Sequence, residues 1–286
     1  MITEQAYAKI NLSLDVTGKR ADGYHTVRMV MQSIDLHDTL SFEKIPSGFV
    51  LTTDNDELNR GSDSGSENII LKACRIMSEH KDMPGGVKIV LTKRIPIAAG
   101  MAGGSTDAAA ALRGLNRLYD LGLDTAELEK IGVEIGADVP FCVEGGTKLC
   151  EGIGEMLTPV KGIPPLDLVI VKPDINVSTK DIYKAFDSLT DPVRPDVDAM
   201  VKAIKESDTS AICRNLGNSL EAVTAGLYPV IGKIMEFMRS NGAQGVLMSG
   251  SGPTVYAIVA PENAEKLKET VSLKYPGYYV DRHKIL

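Results

Sequence analysis

The stretch RIPIAAGMAGGSTDAAAALRGLN, residues 94–116, runs from the end of a strand through a loop of small residues into an alanine-rich helix. Ala108, Leu112, Leu115 and Tyr119 lie at i, i+4, i+7 and i+11, which is the spacing of one face of a helix. This stretch therefore predicts a strand, a tight loop and a helix that packs its apolar face inward.

The loop within that stretch has the physical properties of a phosphate-binding loop. Gly100, Gly103 and Gly104 allow the backbone to approach a ligand closely. The start of the following helix leaves N–H groups unpaired at the positive end of the helix dipole, where an anion is stabilised. The same residues also fit a simple strand-to-helix turn with Ser105 or Thr106 as the N-cap, and the loop chemistry leaves the two interpretations about even. It is neither a Walker A motif nor GxGxxG.

The N-terminal segment alternates between apolar and polar residues from Ala6 to Val16, which predicts a half-buried strand. Lys9 and Asn11 then share the face opposite the apolar one. On the pattern alone, a lysine at such a position is an ordinary solvated side chain. The segment TGKRADGYH, which follows, predicts a turn.

Asp138 follows a helix that is predicted to open at Asp124, with a capping box to Glu127, and to end near Gly136. Pro140 favours an extended conformation at the residue before it, so the carboxylate is expected at a fixed turn where a general base could sit. A nearby cation such as Lys9 would stabilise it. Local hydrogen bonding of the aspartate to its own turn is the favoured interpretation on sequence physics alone.

The rest of the chain mixes strands and helices without regular βαβ alternation, which predicts an α+β fold. A polar segment at residues 54–68 is expected to be a mobile surface loop. The segment KGIPPLD, residues 161–167, is expected to link two domains, residues 1–160 and 161–286. MSGSGPTVYA, residues 248–257, predicts a glycine-rich hairpin; the functional alternative is a second loop that packs against the first.

Composition excludes several classes of function. The chain has 286 residues and a net charge of −7, which disfavours binding to nucleic acid or to an anionic membrane. Its four cysteines form no CxxC pair, and neither a zinc ribbon nor a disulfide scaffold is expected. The first residues do not resemble a signal peptide and no apolar run is long enough to span a bilayer, so we expect a soluble, cytoplasmic protein.

Four segments together resemble the GHMP kinase superfamily, named for galactokinase, homoserine, mevalonate and phosphomevalonate kinases. They are AYAKINLSLDVTGKRADGYH (6–25), PIAAGMAGGSTDAAAALRGLN (96–116), GADVPF (136–141) and MSGSGPTVYA (248–257). The resemblance implies a two-domain GHMP kinase fold, with an N-terminal domain like ribosomal protein S5 that binds ATP and a C-terminal α/β sandwich with an antiparallel sheet. The first and third segments narrow it to the branch that acts on 4-diphosphocytidyl-2-C-methyl-D-erythritol.

The resemblance also implies roles for individual residues. Asp138 matches the catalytic aspartate, and Lys9 matches the lysine that orients it. Asn68 and Lys93 fall where the family lines its adenine pocket. The residues that match the ATP phosphate loop are Pro96, Ile97, Ala98, Ala99, Gly100, Met101, Ala102, Gly103, Gly104, Ser105 and Thr106.

The substrate cleft of the family is matched by Asn11, Tyr24 and His25, and Tyr183 stands where a second aromatic ring is expected to stack on the cytosine. The sequence departs from many relatives at Ala98, Ala99 and Ala102, where glycine is frequent. Alanine is expected to fit there as long as its φ stays negative.

The function that the resemblance implies is ATP-dependent phosphorylation of the 2-hydroxyl of the diphosphocytidyl alcohol, in the non-mevalonate isoprenoid pathway. Mg²⁺ is expected with ATP, with Ser105 and Thr106 as candidate ligands. We expect no nucleic-acid or membrane partner, and a monomer or weak homodimer. The alternatives are a homoserine or mevalonate kinase, and a non-catalytic nucleotide-binding protein on the same fold.

Overall fold

The computed structural model describes residues 1–55, 58 and 67–286. Most of the loop predicted at residues 54–68 lies outside the described residues. The strands are β1 (Ile2–Lys19), β2 (His25–Ile45), β3 (Gly48–Thr53), β4 (Gly86–Thr92), β5 (Thr147–Glu151), β6 (Met156–Pro159), β7 (Asp167–Lys172), β8 (Gly217–Asn218), β9 (Gly245–Met248), β10 (Val255–Val259) and β11 (Tyr279–Lys284).

The helices of the described residues are α1 (Ile69–His80), α2 (Gly103–Tyr119), α3 (Thr125–Ile135), α4 (Val139–Glu144), α5 (Thr179–Phe186), α6 (Val197–Lys205), α7 (Thr209–Arg214), α8 (Glu221–Leu227), α9 (Val230–Ser240) and α10 (Ala264–Lys274). The order of elements is mixed, which confirms the α+β class. No helix in this part of the chain combines the length and the apolar character that crossing a bilayer requires.

The chain forms two compact units that alternate along the sequence. Residues 1–8, 36–95 and 102–145 form the first unit, and residues 9–35, 96–101 and 146–286 form the second. Strands β1 and β2 each contribute to both units because they are 18 and 21 residues long. The domain boundary predicted at residue 161 stays a prediction.

In the first unit, four helices accompany part of a sheet. Strand β3 pairs in parallel with β4, which pairs antiparallel with the end of β2 from Thr39 to Ile45. Helix α2 contacts α1, α3 and α4. It also lies directly on Phe42 of β2, because a Cβ at Gly114 would stand 2.4 Å from that ring. The alanine run of α2 is buried, and small side chains permit this close packing.

Of two local features predicted in the first unit, the capping box and the conformation before Pro140, one is confirmed and one is wrong. The capping box is confirmed: the Asp124 side chain accepts from the N–H of Glu127, and the Glu127 side chain accepts from the N–H of Asp124, both at 2.9 Å. The extended conformation predicted before Pro140 is wrong. The preceding residue opens α4 instead, because proline is tolerated in the first turn of a helix, where its missing N–H would have no partner.

The second unit contains the predicted C-terminal antiparallel sheet, in the strand order β11-β7-β10-β9. All residues of β10 are buried, including Tyr256. The unit also holds most of β1, which pairs in parallel with β8, and the part of β2 from Met29 to Gln32, which pairs antiparallel with β5. Ser178 caps α5 as predicted, accepting from the N–H of Asp181 at 3.3 Å.

Candidate active site

The start of α2 has no side-chain cap. Its N-cap is Ala102, which has a φ of 57° and makes no capping hydrogen bond. The prediction that Ser105 or Thr106 caps this helix is wrong, because both lie inside it and the hydroxyl of Thr106 donates to the carbonyl of Tyr7 at 2.7 Å. The first N–H groups of a helix without a cap are donors for a ligand. With Gly103 at its first position, this helix end has the properties expected of a phosphate site.

The loop before α2 alternates into the left-handed region. Ala98 has a φ of 51°, Gly100 of 70° and Ala102 of 57°, so the expectation that the alanines keep a negative φ is wrong for Ala98 and Ala102. At residue 100 the glycine is required for space as well. A Cβ there would lie 2.5 Å from the carbonyl oxygen of Ser249 and 2.7 Å from that of Gly252. The tight path of the backbone imposes the positive φ values.

The second glycine-rich segment packs against the first, as the functional alternative predicted. The Ser249 hydroxyl donates to the carbonyl of Gly100 at 2.9 Å. The Asn218 amide donates to the carbonyls of Met248 and Gly250 at 2.9 and 2.7 Å, which fixes the turn from the other side. The hairpin interpretation also holds, since β9 and β10 flank the turn and pair antiparallel.

Lys9 and Asn11 lie beside these two loops. Their side chains share one face of β1 as predicted, and Lys9 Nζ donates to Asn11 Oδ1 at 2.8 Å. The predicted half-burial of the strand is wrong: Lys9 is 4% and Asn11 0% exposed. The backbone N–H of Lys9 donates to the carbonyl of Met101 at 3.2 Å, and a Cβ at Gly250 would lie 3.6 Å from Asn11 Oδ1.

Asp138 lies in the first unit, half-buried between the end of α3 and the start of α4. Its backbone is helical, with φ −85° and ψ −11°, and its side chain does not cap α4. The predicted pairing of Asp138 with Lys9 joins residues of different units and stays a prediction.

Asn68 and Lys93 both have structural contacts in the first unit. The Asn68 side chain caps α1 by accepting from the N–H of Ile70 at 2.9 Å. Lys93 Nζ is buried and donates to Asp107 Oδ2 at 2.7 Å, to Asp38 Oδ2 and to the carbonyl of Gly103 at 3.3 Å. The adenine pocket that the resemblance assigns to Asn68 and Lys93 stays a prediction.

The two carboxylates around Lys93 were not predicted from the sequence. Asp38 is fully buried and also accepts from the backbone N–H groups of Arg94 and Ile95. Burial raises the pKa of Asp107 to about 8, against the opposing effect of Lys93, and its Oδ1 is buried without a hydrogen-bond partner. Two carboxyl groups and one ammonium share this buried site, so the protonated form of Asp107 is favoured near neutral pH.

The turn between β1 and β2 meets α5 in the second unit. Tyr24 is 59% exposed, while the neighbouring His25 ring lies 4.7 Å from the Tyr183 ring, with 33° between their planes. His25 Nε2 donates to Asp187 Oδ1 at 2.6 Å, and Lys19 Nζ donates to Asp187 Oδ2. The structure thus brings together His25 and Tyr183, two predicted substrate-binding residues, and adds Asp187, for which the sequence carried no motif.

Comparison with known proteins identifies the same kinase family as the sequence motifs. Residues 68–146 match the GHMP kinases N-terminal domain and residues 200–277 the GHMP kinases C-terminal domain. The chain is 49% identical to the 4-diphosphocytidyl-2-C-methyl-D-erythritol kinase of Caldicellulosiruptor saccharolyticus, over 90% of this chain and 87% of the relative.

Solved structures agree with this. A crystal structure of a 4-(cytidine 5'-diphospho)-2C-methyl-D-erythritol kinase matches with a TM-score of 0.81 and 32% identity, over 99% of both chains. A homoserine kinase from Cytophaga hutchinsonii matches with a TM-score of 0.76, over 99% of this chain and 94% of the other, but at 19% identity this likeness shows the fold alone.

Proposed function

Because this chain belongs to the GHMP kinase family and is a kinase, we propose that it phosphorylates the 2-hydroxyl of 4-diphosphocytidyl-2-C-methyl-D-erythritol, with ATP as the phosphoryl donor. The products are the 2-phosphate and ADP, and the reaction belongs to the non-mevalonate isoprenoid pathway. Relatives that carry this name cover most of the chain at 43–49% identity, which favours this substrate over homoserine or mevalonate.

The observation that carries the proposal is the burial of Lys9 and Asn11 beside the two glycine-rich loops. A lysine that is 4% exposed and bonded to Asn11 loses most of its hydration, so it needs a functional or structural reason to be there. Its backbone N–H also binds the carbonyl of Met101, in the phosphate loop. A buried ammonium at this point is suited to stabilising negative charge on a phosphoryl group in transfer.

The proposed mechanism is direct in-line transfer, in which the protein supplies positioning and charge stabilisation. The N–H groups at the start of α2 hold phosphate oxygens. Asp138 takes the proton from the attacking hydroxyl, and Lys9 orients this carboxylate and stabilises charge. Asn11, Tyr24, His25 and Tyr183 hold the diphosphocytidyl part of the substrate.

The residues present fit ATP with Mg²⁺. The uncapped helix start offers N–H donors for phosphates, and the hydroxyl of Thr106 is already committed to Tyr7, which leaves Ser105 as the candidate hydroxyl ligand. Within the described residues no group of three or more His, Cys, Asp or Glu could hold a metal ion. Mg²⁺ in kinases binds mainly phosphate oxygens and neutralises their charge, so few protein ligands are needed.

The test is turnover of the diphosphocytidyl alcohol by two variants, Asp138→Asn and Lys9→Met. We expect each to lower kcat by about 10²–10⁴-fold, the usual effect of removing a general base or its partner. Asp82→Asn, an exposed carboxylate of the first unit, is the matched control and should keep wild-type turnover. Near-wild-type kcat in both site variants would show that the assigned roles are wrong.

Two alternatives are separated by the same assay. A panel of homoserine, mevalonate and the diphosphocytidyl alcohol distinguishes the small-alcohol kinases by which hydroxyl yields a phosphorylated product. Binding of ATP without release of ADP in the presence of any acceptor would favour a non-catalytic nucleotide-binding protein.

The partners and location that we propose follow from the same function. The substrates are small molecules, and the net charge of −7 gives no reason for a nucleic-acid or membrane partner. The four cysteines are thiols, which suits a reducing compartment such as the cytoplasm. A monomer or weak homodimer is part of this proposal, and sedimentation would test it.

A further inference from the structure

One carboxylate holds both ends of the turn between β1 and β2. Asp187 Oδ1 lies 2.6 Å from Nε2 of His25, the first residue of β2, and Oδ2 lies 2.5 Å from Nζ of Lys19, the last residue of β1. The turn between them carries Tyr24. Asp187 itself follows the last residue of α5, so this helix and the turn are joined through a single side chain.

The same residue is also linked to Tyr183 within α5. The backbone N–H of Asp187 donates to the carbonyl of Tyr183 at 3.0 Å. The Tyr183 ring in turn lies 4.7 Å from the His25 ring. These contacts close a ring from Asp187 to His25, from His25 to Tyr183 and back to Asp187, which fixes the two aromatic side chains relative to each other.

We infer that Asp187 is a positioning residue for the nucleobase end of the substrate. Its carboxylate holds the turn that carries Tyr24 and His25 in a fixed position relative to Tyr183. The inference rests on the proposed function, because it assigns the base of the diphosphocytidyl group to these three side chains. Asp187 acts through them and does not contact the reacting atoms.

The environment of the carboxylate suits this role. The His25 side chain is 10% exposed and that of Asp187 is 28% exposed, so the hydrogen bond between them is partly shielded from water. Hydrogen bonds from Lys19 and then from His25 lower the pKa of Asp187, which keeps it ionised at neutral pH. Tyr24 is 59% exposed, with little packing of its own, so its position depends on how the turn is held. A stacking site gains affinity when its rings are fixed before the ligand binds.

The experiment compares Asp187→Asn with the wild type in steady-state kinetics and in calorimetric binding of cytidine diphosphate, which carries the base but no acceptor hydroxyl. We expect KM for the diphosphocytidyl alcohol and Kd for cytidine diphosphate to rise about 5- to 20-fold, since a charge-assisted pair is lost. KM for ATP and kcat should change by less than about twofold. Asp191→Asn, an exposed carboxylate four residues further on, is the control and should change neither constant.

Two further variants separate positioning from general stability. Asp187→Glu keeps the charge and should recover part of the affinity. In a His25→Ala background, Asp187→Asn should raise KM and Kd by a smaller factor than in the wild type, because the contact to the His25 ring is already gone and only the Lys19 pair is left to lose. Unchanged KM and Kd in Asp187→Asn would overturn the inference, and so would a parallel rise in KM for ATP together with a lower melting temperature.

The same measurements distinguish a failure of the proposed function from a failure of the inference about Asp187. A wild-type chain that binds cytidine diphosphate but does not phosphorylate the diphosphocytidyl alcohol contradicts the proposed reaction, while the effect of Asp187→Asn on Kd still decides the inference. A wild-type chain that does not bind cytidine diphosphate overturns the inference itself.

Discussion

At the scale of single residues, two carboxylates share one lysine in the first unit. Lys93 lies between the carboxylates of Asp38 and Asp107. The ammonium of Lys93 and its two carboxylates carry a surplus of negative charge when all three are ionised. In a buried site this surplus is relieved by protonation of a carboxyl group, and burial raises the pKa of Asp107.

The free energy of unfolding should depend on pH through Asp107. The pKa of Asp107 is raised from 3.8 to about 8, so in this window the folded chain holds a proton that the unfolded chain has lost. The free energy of unfolding therefore falls as pH rises from the unfolded to the folded pKa, by up to about 1.4 kcal/mol per pH unit. Asp107→Asn removes this dependence.

Urea unfolding at about pH 5.5 and about pH 7.5 measures the effect. We expect the stability of Asp107→Asn relative to the wild type to increase between these values. Asp82→Asn serves as the control at an exposed site. A relative stability that stays constant with pH would contradict a raised pKa at Asp107.

Residue-level prediction from the sequence had a clear limit. The alternation of polar and apolar residues placed Lys9 and Asn11 on one face of β1, because side-chain direction follows from strand geometry. It did not show that this face is buried, since what covers a strand depends on segments far away in the chain. Asp38, Asp107 and Asp187 were missed for the same reason: each becomes notable only through a partner at a sequence separation of 14 to 168 residues.

At the scale of elements, the start of one helix is determined by neighbouring residues and the start of another by contacts with distant parts of the chain. The capping box of α3 was predicted because Asp124 and Glu127 satisfy each other within one turn. The start of α2 was not, because its left-handed N-cap, Ala102, has no side chain that signals a cap. Its conformation follows from the path of the loop, which is packed against Ser249 and Gly252 at Gly100.

This predicts opposite effects for two alanine-to-glycine changes in one loop-helix segment. Ala102→Gly relieves the strain of a left-handed alanine, which stabilises the folded chain by about 1–2 kcal/mol. It also makes the unfolded chain more flexible, which costs about 0.4–1 kcal/mol. The free energy of unfolding should therefore rise slightly or stay the same. Ala110→Gly lies buried inside α2 and should cost about 1 kcal/mol or more. Urea unfolding compares them; equal losses would show that residue 102 is not strained.

At the scale of the whole molecule, an acidic chain is proposed to bind two anionic substrates. The net charge of −7 disfavours long-range attraction of either one. Under the proposed function, binding depends on short-range donors, for which the N–H groups at the start of α2 and the ammonium of Lys9 are the candidates. The fold class and the four motifs were recognisable in the sequence because they are contiguous, whereas the contacts between motifs required the structure.

Stabilisation of the folded chain by ATP tests whether the phosphate groups are bound by these donors. ATP at about 100 times its Kd should stabilise the folded chain by about 2.7 kcal/mol, which corresponds to a rise in melting temperature on the order of 5 °C for a chain of this size. Adenosine lacks the phosphates and should give a much smaller rise at the same concentration. An equal shift with adenosine would mean that the phosphate loop contributes little to binding.

The way the chain alternates between its two units constrains how the protein could have diversified. Each unit is assembled from three separate segments of sequence, and the short stretch from residue 96 to 101 belongs to a different unit from the residues on either side of it. A single genetic crossover between two related genes therefore cannot exchange one unit intact. Changes of substrate in such a chain are expected to arise by point substitution of residues in the substrate site rather than by recombination of whole units.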